Sequence, residues 1–225
     1  MPQTETVVLV HGLWLHGAAM LLMKRRLARC GYRVKTYSYP TVRLDLDQNG
    51  ERLARYCAAL PGARVHLVAH SMGGLVARAA MAQGAKVKRL VMLGTPNHGS
   101  FSPVMALRGS HDLVRNLARF EIGHDAEELS SKIFSTFLGL YQMLPARAHY
   151  SAVDFFDPAS WPSTGPQPKL ALLKQAAALP TSLASDPECM HLIAGVDQKT
   201  VVGARMGANG EFAYEFSSAG DGTVP

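Results

Sequence analysis

The chain has 225 residues, 48% of them hydrophobic, with 23 Lys and Arg against 17 Asp and Glu and a net charge of +6. That length can bury one substantial core and gives no reason to expect a second full domain, so a single domain over residues 1–225 is expected. The positive balance does not point to nucleic acid. Its tightest cluster, Lys24, Arg25, Arg26 and Arg29, falls at helical spacing and reads as a solvated helix face rather than a nucleic-acid or acidic-lipid patch. Cys30, Cys57 and Cys189 are odd in number, scattered and without C-x-x-C spacing, which argues against a disulfide framework or a zinc site and fits a reducing compartment. The opening Met-Pro-Gln-Thr-Glu-Thr lacks the basic and long apolar regions of a signal peptide, and no apolar run is long enough to span a bilayer. A cytoplasmic protein is therefore expected.

In chain order, Thr6 to Val10 is a buried-strand pattern ending in His11-Gly12-Leu13-Trp14. Gly12 permits a tight turn that lets the next amide, that of Leu13, point into a site. Met20 to Cys30 reads as an amphipathic helix with Leu21, Leu22, Leu27 and Ala28 on its apolar side, closed by Gly31. Tyr32 to Tyr39 is a second strand, ended by Pro40, and Leu44 to Leu60 a second helix, stopped by Pro61-Gly62.

The stretch from Val65 to Ala69 is short, β-branched and apolar, and an Ala- and Leu-rich helical segment begins at Leu75. Ser71 sits at the break. A serine hydroxyl becomes a useful nucleophile when a strained strand-to-helix turn exposes it and the first helical amide, here Met72, stabilises the oxyanion. Small residues two places before and after the serine let strand and helix pass closely; Gly73 meets that need fully and Ala69 less fully. The bland alternative is a serine capping the helix. Lys88 to Leu93 is the next strand, and the strand-helix alternation is that of a parallel sheet covered on both faces.

Gly94-Thr95-Pro96-Asn97-His98-Gly99-Ser100 is a tight loop after that strand. From 101 to 184 the rhythm breaks down over a length too great for a loop, which predicts an inserted cap or lid. Its clearest helix runs from Ala126 to Leu144, with an apolar stripe that suits either core packing or a lid lining an acyl pocket. Leu170 to Leu179 is helical, Met190 to Val196 a buried strand, and Val201 to Phe216 two strands joined at Gly207-Ala208-Asn209-Gly210. The chain closes with Gly220-Asp221-Gly222-Thr223-Val224-Pro225. Asp221 reads either as a catalytic carboxylate or as an Asp-Gly turn bonded to its own backbone.

The ordered set His-Gly, A-H-S-M-G-G, G-T-P-N-H-G-S and G-D-G-T-V-P resembles the α/β-hydrolase superfamily, in particular its lipase and lecithin:cholesterol acyltransferase-like branch. Tyr141-Gln142-Met143-Leu144-Pro145 and the strand and hairpin before G-D-G-T-V-P extend the resemblance over nearly the whole chain. The usual elbow is G-x-S-x-G, and alanine at its first position is a known substitute in lipase-like members. The resemblance implies an α/β-hydrolase fold: a mostly parallel central sheet, helices on both faces, and residues 101–184 as the inserted cap.

It further implies Ser71 as nucleophile, the amides of Leu13 and Met72 as the oxyanion hole, and Asp221 as the acid, with Asp197 as runner-up. His11 then shapes its loop rather than acting as base, and His98 is a wall residue. The order nucleophile, acid, histidine demands a histidine after Asp221, and none follows. His191 begins a strand, the wrong end for the site, while His111, His124 and His149 lie in the cap. The chain as a fragment, with its catalytic histidine beyond Pro225 in a further helix and strand, is the expectation; recruitment of another base and an inactive protein are the alternatives. The implied activity is hydrolysis of a lipophilic carboxylic ester through an acyl-enzyme, with no metal or organic cofactor, no nucleic acid, and transient contact with a membrane or lipid surface through the cap. An acyltransferase using the same acyl-enzyme and a non-catalytic binding protein on the same fold are the competing readings; a basic surface-binding protein is a third and the least favoured, since it ignores the four ordered motifs.

Overall fold

The computed structural model describes residues 4–62, 64–110, 126–150, 152–178 and 183–225. The chain forms two compact units, residues 1–97 with 180–194, and residues 98–179 with 195–225.

The first unit is built on a parallel sheet. Its strands are β1 (Thr6–Val10), β2 (Arg33–Tyr37), β3 (Val65–His70), β4 (Val87–Leu93) and β5 (Met190–Ile193), in the order β2-β1-β3-β4-β5. All four pairings are parallel, with Val8 opposite Leu67 and Val68 opposite Val91. β1 is buried throughout and β3 nearly so, because each is a central strand covered on both faces. The intervening helices are α1 (Leu21–Arg29), α2 (Leu46–Ala58) and α3 (Met72–Ala82). α2 starts at a capping box in which Asp45 accepts from the Gln48 amide at 2.7 Å and Gln48 accepts from the Asp45 amide at 3.3 Å. It crosses α3 at Gly50, where a Cβ would lie 2.6 Å from that of Ala79.

Two expectations fail here. On α1, Met23 and Leu27, one turn apart, pack on Val7, Leu9, Met20 and Val68, but Leu21 and Leu22 are 45% and 62% exposed. The apolar residues spread around the helix, and a helix near an edge strand has core to cover on one side only. The strand expected over Met190 to Val196 ends at Ile193 and is not buried: Leu192 and Ile193 are 66% and 56% exposed, because β5 is the sheet's edge.

The second unit holds α4 (Ser102–Leu107), α5 (Ala126–Lys132), α6 (Leu138–Tyr141), α7 (Leu170–Ala178) and the antiparallel hairpin β6 (Thr200–Met206) and β7 (Phe212–Ser217). The hairpin turn is the one expected, with Gly210 at φ 74°. The single helix expected from Ala126 to Leu144 is instead α5, a 3-10 turn at Phe134–Thr136, and α6. Phe137 is extended between them at φ −90°, ψ 100°, which lets Phe134, Leu140, Tyr141, Met143 and Leu144 all be buried; one straight helix could not turn that many residues inward.

Phe101, Phe155, Trp161 and Phe212 pack edge to face. Arg108, with a side chain 6% exposed, donates to the carbonyls of Thr164 and Pro166 at 2.7 and 2.6 Å and to Glu211 at 2.6 Å, tying α4 to the hairpin. Leu179, His111 and His124 lie outside the described residues. Among those described, no helix is long and apolar enough to cross a membrane.

Candidate active site

β3 delivers the chain to Ser71, and α3 starts at Met72. Ser71 has φ 53° and ψ −128°, a conformation that L-residues rarely adopt and that carries about 1–3 kcal/mol of strain. Its amide donates to the carbonyl of Leu93, at the end of β4, at 2.9 Å, and its own carbonyl accepts from Gly74 at 2.9 Å. The side chain makes no capping hydrogen bond to α3, so the reading of Ser71 as an ordinary helix cap does not hold. The amide of Met72, first in the helix, has no intrahelical acceptor and stands at the positive end of the helix dipole.

The glycines after Ser71 are required by the close crossing of α3 and β1. A Cβ on Gly73 would lie 2.5 Å from the carbonyl oxygen of His11 and 2.7 Å from that of Val10, and one on Gly74 would overlap the side chain of Thr95. The β1 loop abuts the serine equally closely. A Cβ on Gly12 would lie 2.9 Å from that of Ser71.

Leu13 and Trp14 make the turn that follows, in which the Leu15 amide donates to the Gly12 carbonyl at 3.3 Å and Trp14 takes φ 57°. His11 is 1% exposed and stacks on Tyr39 with ring centroids 4.6 Å apart. Its Nδ1 lies 3.0 Å from the Gly12 carbonyl, which can only accept, so the proton sits on Nδ1. Burial holds the imidazole below its ordinary pKa. Tyr39 in turn donates to the His11 carbonyl at 2.7 Å. A neutral ring clamped in this way shapes the loop. The Tyr39 contact was not visible in the sequence, since 28 residues separate the partners.

Two other ties stiffen this end of the sheet. Arg78 on α3 donates to Asn97 Oδ1 at 2.8 Å and to the Ala184 carbonyl at 3.0 Å, anchoring the loop after β4. A cleft of about 550 Å³ lined by Arg64, Lys86 and Asp186 lies at the starting ends of β3 and β4, remote from Ser71.

In the second unit, the Gly220–Val224 loop is a hydrogen-bonded turn. Asp221 Oδ1 accepts from the amides of Thr223 and Val224 at 2.9 and 2.8 Å, and the Gly222 amide donates to Thr200 Oγ1 at 2.8 Å. Both carboxylate bonds among the described residues fall on Oδ1. A Cβ on Gly195 would lie 2.7 Å from that of Asp221, so the segment after β5 runs directly past the carboxylate. Asp197, the other candidate acid, is exposed at φ 63°. His98 and His149 stack with centroids 3.6 Å apart, and the His98 carbonyl accepts from Ala146 at 2.9 Å, so G-T-P-N-H-G-S is seated at its end on the Leu144–Ala146 segment. His191 is exposed near the start of β5. Among the described residues no group of three or more His, Cys, Asp or Glu is arranged to hold a metal ion.

The model of the alpha/beta hydrolase family matches residues 7–220. The chain belongs to the alpha/beta hydrolase family. This hydrolase-family chain is similar in fold to a crystal structure of the Bacillus licheniformis lipase BlEst2 in its mature form, at 19% identity and a TM-score of 0.53, over 88% of this chain and 68% of that one. The propeptide form of the same lipase gives 19% identity and a TM-score of 0.52, with 88% of this chain and 37% of the other covered. No curated protein matches this family member. The family membership accords with the parallel order β2-β1-β3-β4-β5, and the two crystal structures support the fold alone.

Proposed function

We propose that this chain carries the nucleophile of a serine hydrolase that cleaves carboxylic esters through an acyl-enzyme on Ser71. The observation that carries the reading is the conformation of Ser71: a strained, positive-φ residue at the head of α3 whose hydroxyl makes no capping bond, with Gly73 held to glycine by backbone contact and Gly74 by the side chain of Thr95. Backbone strain held at this one residue favours a functional reading of it.

Ser71 Oγ attacks the ester carbonyl as an imidazole takes its proton, with the carboxylate of Asp221 in the role of the group that orients that imidazole. The amides of Leu13 and Met72 donate to the oxyanion, the alcohol leaves with the proton, and water then releases the acid by the same route. These steps use no metal or organic cofactor. The fold neighbours are described as a lipase, which agrees with an ester whose acyl group is lipophilic.

The test is labelling of the folded full-length protein with a fluorophosphonate probe, with the modified residue mapped by mass spectrometry. The expected outcome is a label on Ser71, absent from Ser71→Ala. A label on another residue, or labelling that survives Ser71→Ala, overturns the assignment.

A further inference from the structure

The outward face of α1 has a surface that the chemistry at Ser71 does not use. Of the 23 Lys and Arg, seven lie in residues 6–44, which contain no Asp or Glu; the remaining residues hold 16 against 17 acids. Residues 52–111 are likewise free of acids and hold eight Lys and Arg, so it is the clustering on one helix that sets residues 6–44 apart. Four of the seven, Lys24, Arg25, Arg26 and Arg29, stand on α1, and none of the four makes an ion pair among the described residues.

The helix meets the sheet through Met23 and Leu27 and has no buried residue of its own. Opposite that pair, Leu21 and Arg25, then Arg29, succeed one another a turn apart, and Leu22 and Arg26 do the same. An exposed apolar first turn, Leu21 at 45% and Leu22 at 62%, thus leads into two cationic turns on one side of one helix.

Two simpler accounts explain only part of this. Cations in the last turn complement the helix dipole, which covers Arg26 and Arg29. Single exposed leucines are ordinary. Neither accounts for adjacent leucines left in water beside unpaired arginines on a single helix that carries no acid, which is the pattern of a helix lying in a membrane interface.

We propose that this face of α1 docks the protein on a bilayer rich in anionic phospholipid, Leu21 and Leu22 entering the acyl boundary while Arg25, Arg26 and Arg29 hold headgroup phosphates. Guanidinium forks pair with phosphate oxygens, and their aliphatic stems lie along the apolar layer. A nucleic-acid backbone would satisfy the arginines but leave the leucines in water, so the apolar first turn decides for lipid. The exposed Leu21 and Leu22 replace the solvated-face reading that helical spacing alone gave these cations; the surface is distinct from the lipid contact expected of residues 101–184, and it does not depend on the ester reading.

The test is co-sedimentation of the full chain with vesicles of phosphatidylcholine alone and with about one third phosphatidylglycerol. Binding to the anionic vesicles only, weakening as salt rises, is expected. Arg25→Gln/Arg26→Gln/Arg29→Gln should reduce partitioning roughly a hundredfold, at about fivefold per cation. Leu21→Ser/Leu22→Ser should reduce it about tenfold with the salt dependence retained. None of these side chains is buried, so both variants should keep the parent Tm. Removing three cations elsewhere in the same stretch, Arg33→Gln/Lys35→Gln/Arg43→Gln, should leave partitioning within about threefold. Absence of binding to anionic vesicles, or equal loss in the two charge variants, overturns the proposal. Binding to a DNA duplex that the leucine variant keeps in full, with no vesicle binding, assigns the face to nucleic acid and overturns it as well.

Discussion

The turns at Ser71 and at Asp221 are both tight and both glycine-flanked, yet they are held by opposite means. Around Ser71 the restraint is steric: the backbones of β1 and α3 come so close that Gly73 has no room for a Cβ, and the serine between them is strained. Around Asp221 the restraint is polar: one carboxylate oxygen and the Thr200 hydroxyl gather three amides. A steric turn leaves its central side chain free for chemistry, whereas a hydrogen-bonded turn commits its side chain to the architecture. Asp221 thus holds its turn through Oδ1, and only Oδ2 is left for the orienting role proposed for it.

The sharpest way to separate those two roles is Asp221→Asn beside Asp221→Ala. Asn keeps an acceptor for Thr223 and Val224, so the Tm should hold while kcat/KM on a short-chain ester falls by about 10⁴ if the charge orients an imidazole. Ala should lose the turn bonds too and about 1–2 kcal/mol of stability. Unchanged activity in Asp221→Asn, with loss in Asp197→Asn, would move the role to Asp197.

Next in size, Gly73→Ala must push α3 away from two backbone oxygens. A loss of about 3 kcal/mol, read as a Tm lower by roughly 6 to 12 °C, is expected, together with loss of probe labelling. A variant as stable as its parent would show that the crossing is not tight. In the opposite direction, Ser71→Gly should relieve the strained φ and raise stability by about 1 kcal/mol in urea melts while abolishing labelling. No gain would mean that the serine is unstrained.

The smallest effect concerns the clamp on the β1 loop. Burial depresses the His11 pKa, so on acidification the unfolded chain takes up the proton before the fold does. Stability from the neutral ring is full above an unfolded imidazole pKa of about 6.5 and is lost as pH falls below it. The urea midpoint should therefore drop between neutral pH and pH about 5.5, and His11→Gln should flatten that drop.

Much of the first unit was legible in the sequence. β1 and β3 are central strands covered on both faces, so their burial appears as the apolar runs Val7-Val8-Leu9-Val10 and Leu67-Val68-Ala69. The elbow appears as a serine followed by Gly73 and Gly74, because steric exclusion leaves no other residue type. In the second unit, the hairpin turn was readable at Gly210 for a similar reason: positive φ selects glycine.

Less was legible elsewhere. Leu21, Leu22, Met23 and Leu27 are equally apolar, and periodicity does not say which pair meets the sheet; the packing chose Met23 and Leu27. The run from 126 to 144 satisfies a helical pattern, but the extended Phe137 was selected by burial of the aromatic and apolar residues around it. Tyr39 on His11, Arg78 on Asn97 and Arg108 on Glu211 join residues 19 to 103 positions apart, and no local signal announces them.

By itself, the sequence determined the serine turn, the parallel alternation and the places where only glycine fits, since each depends on sterics within a few bonds of the residue. Tertiary structure alone decided which face of α1 meets the core, that β5 is an exposed edge, and that Asp221 is anchored through one oxygen. Burial and hydrogen-bond partnership belong to pairs of residues distant in the chain, and they come into being only when the fold brings those residues together.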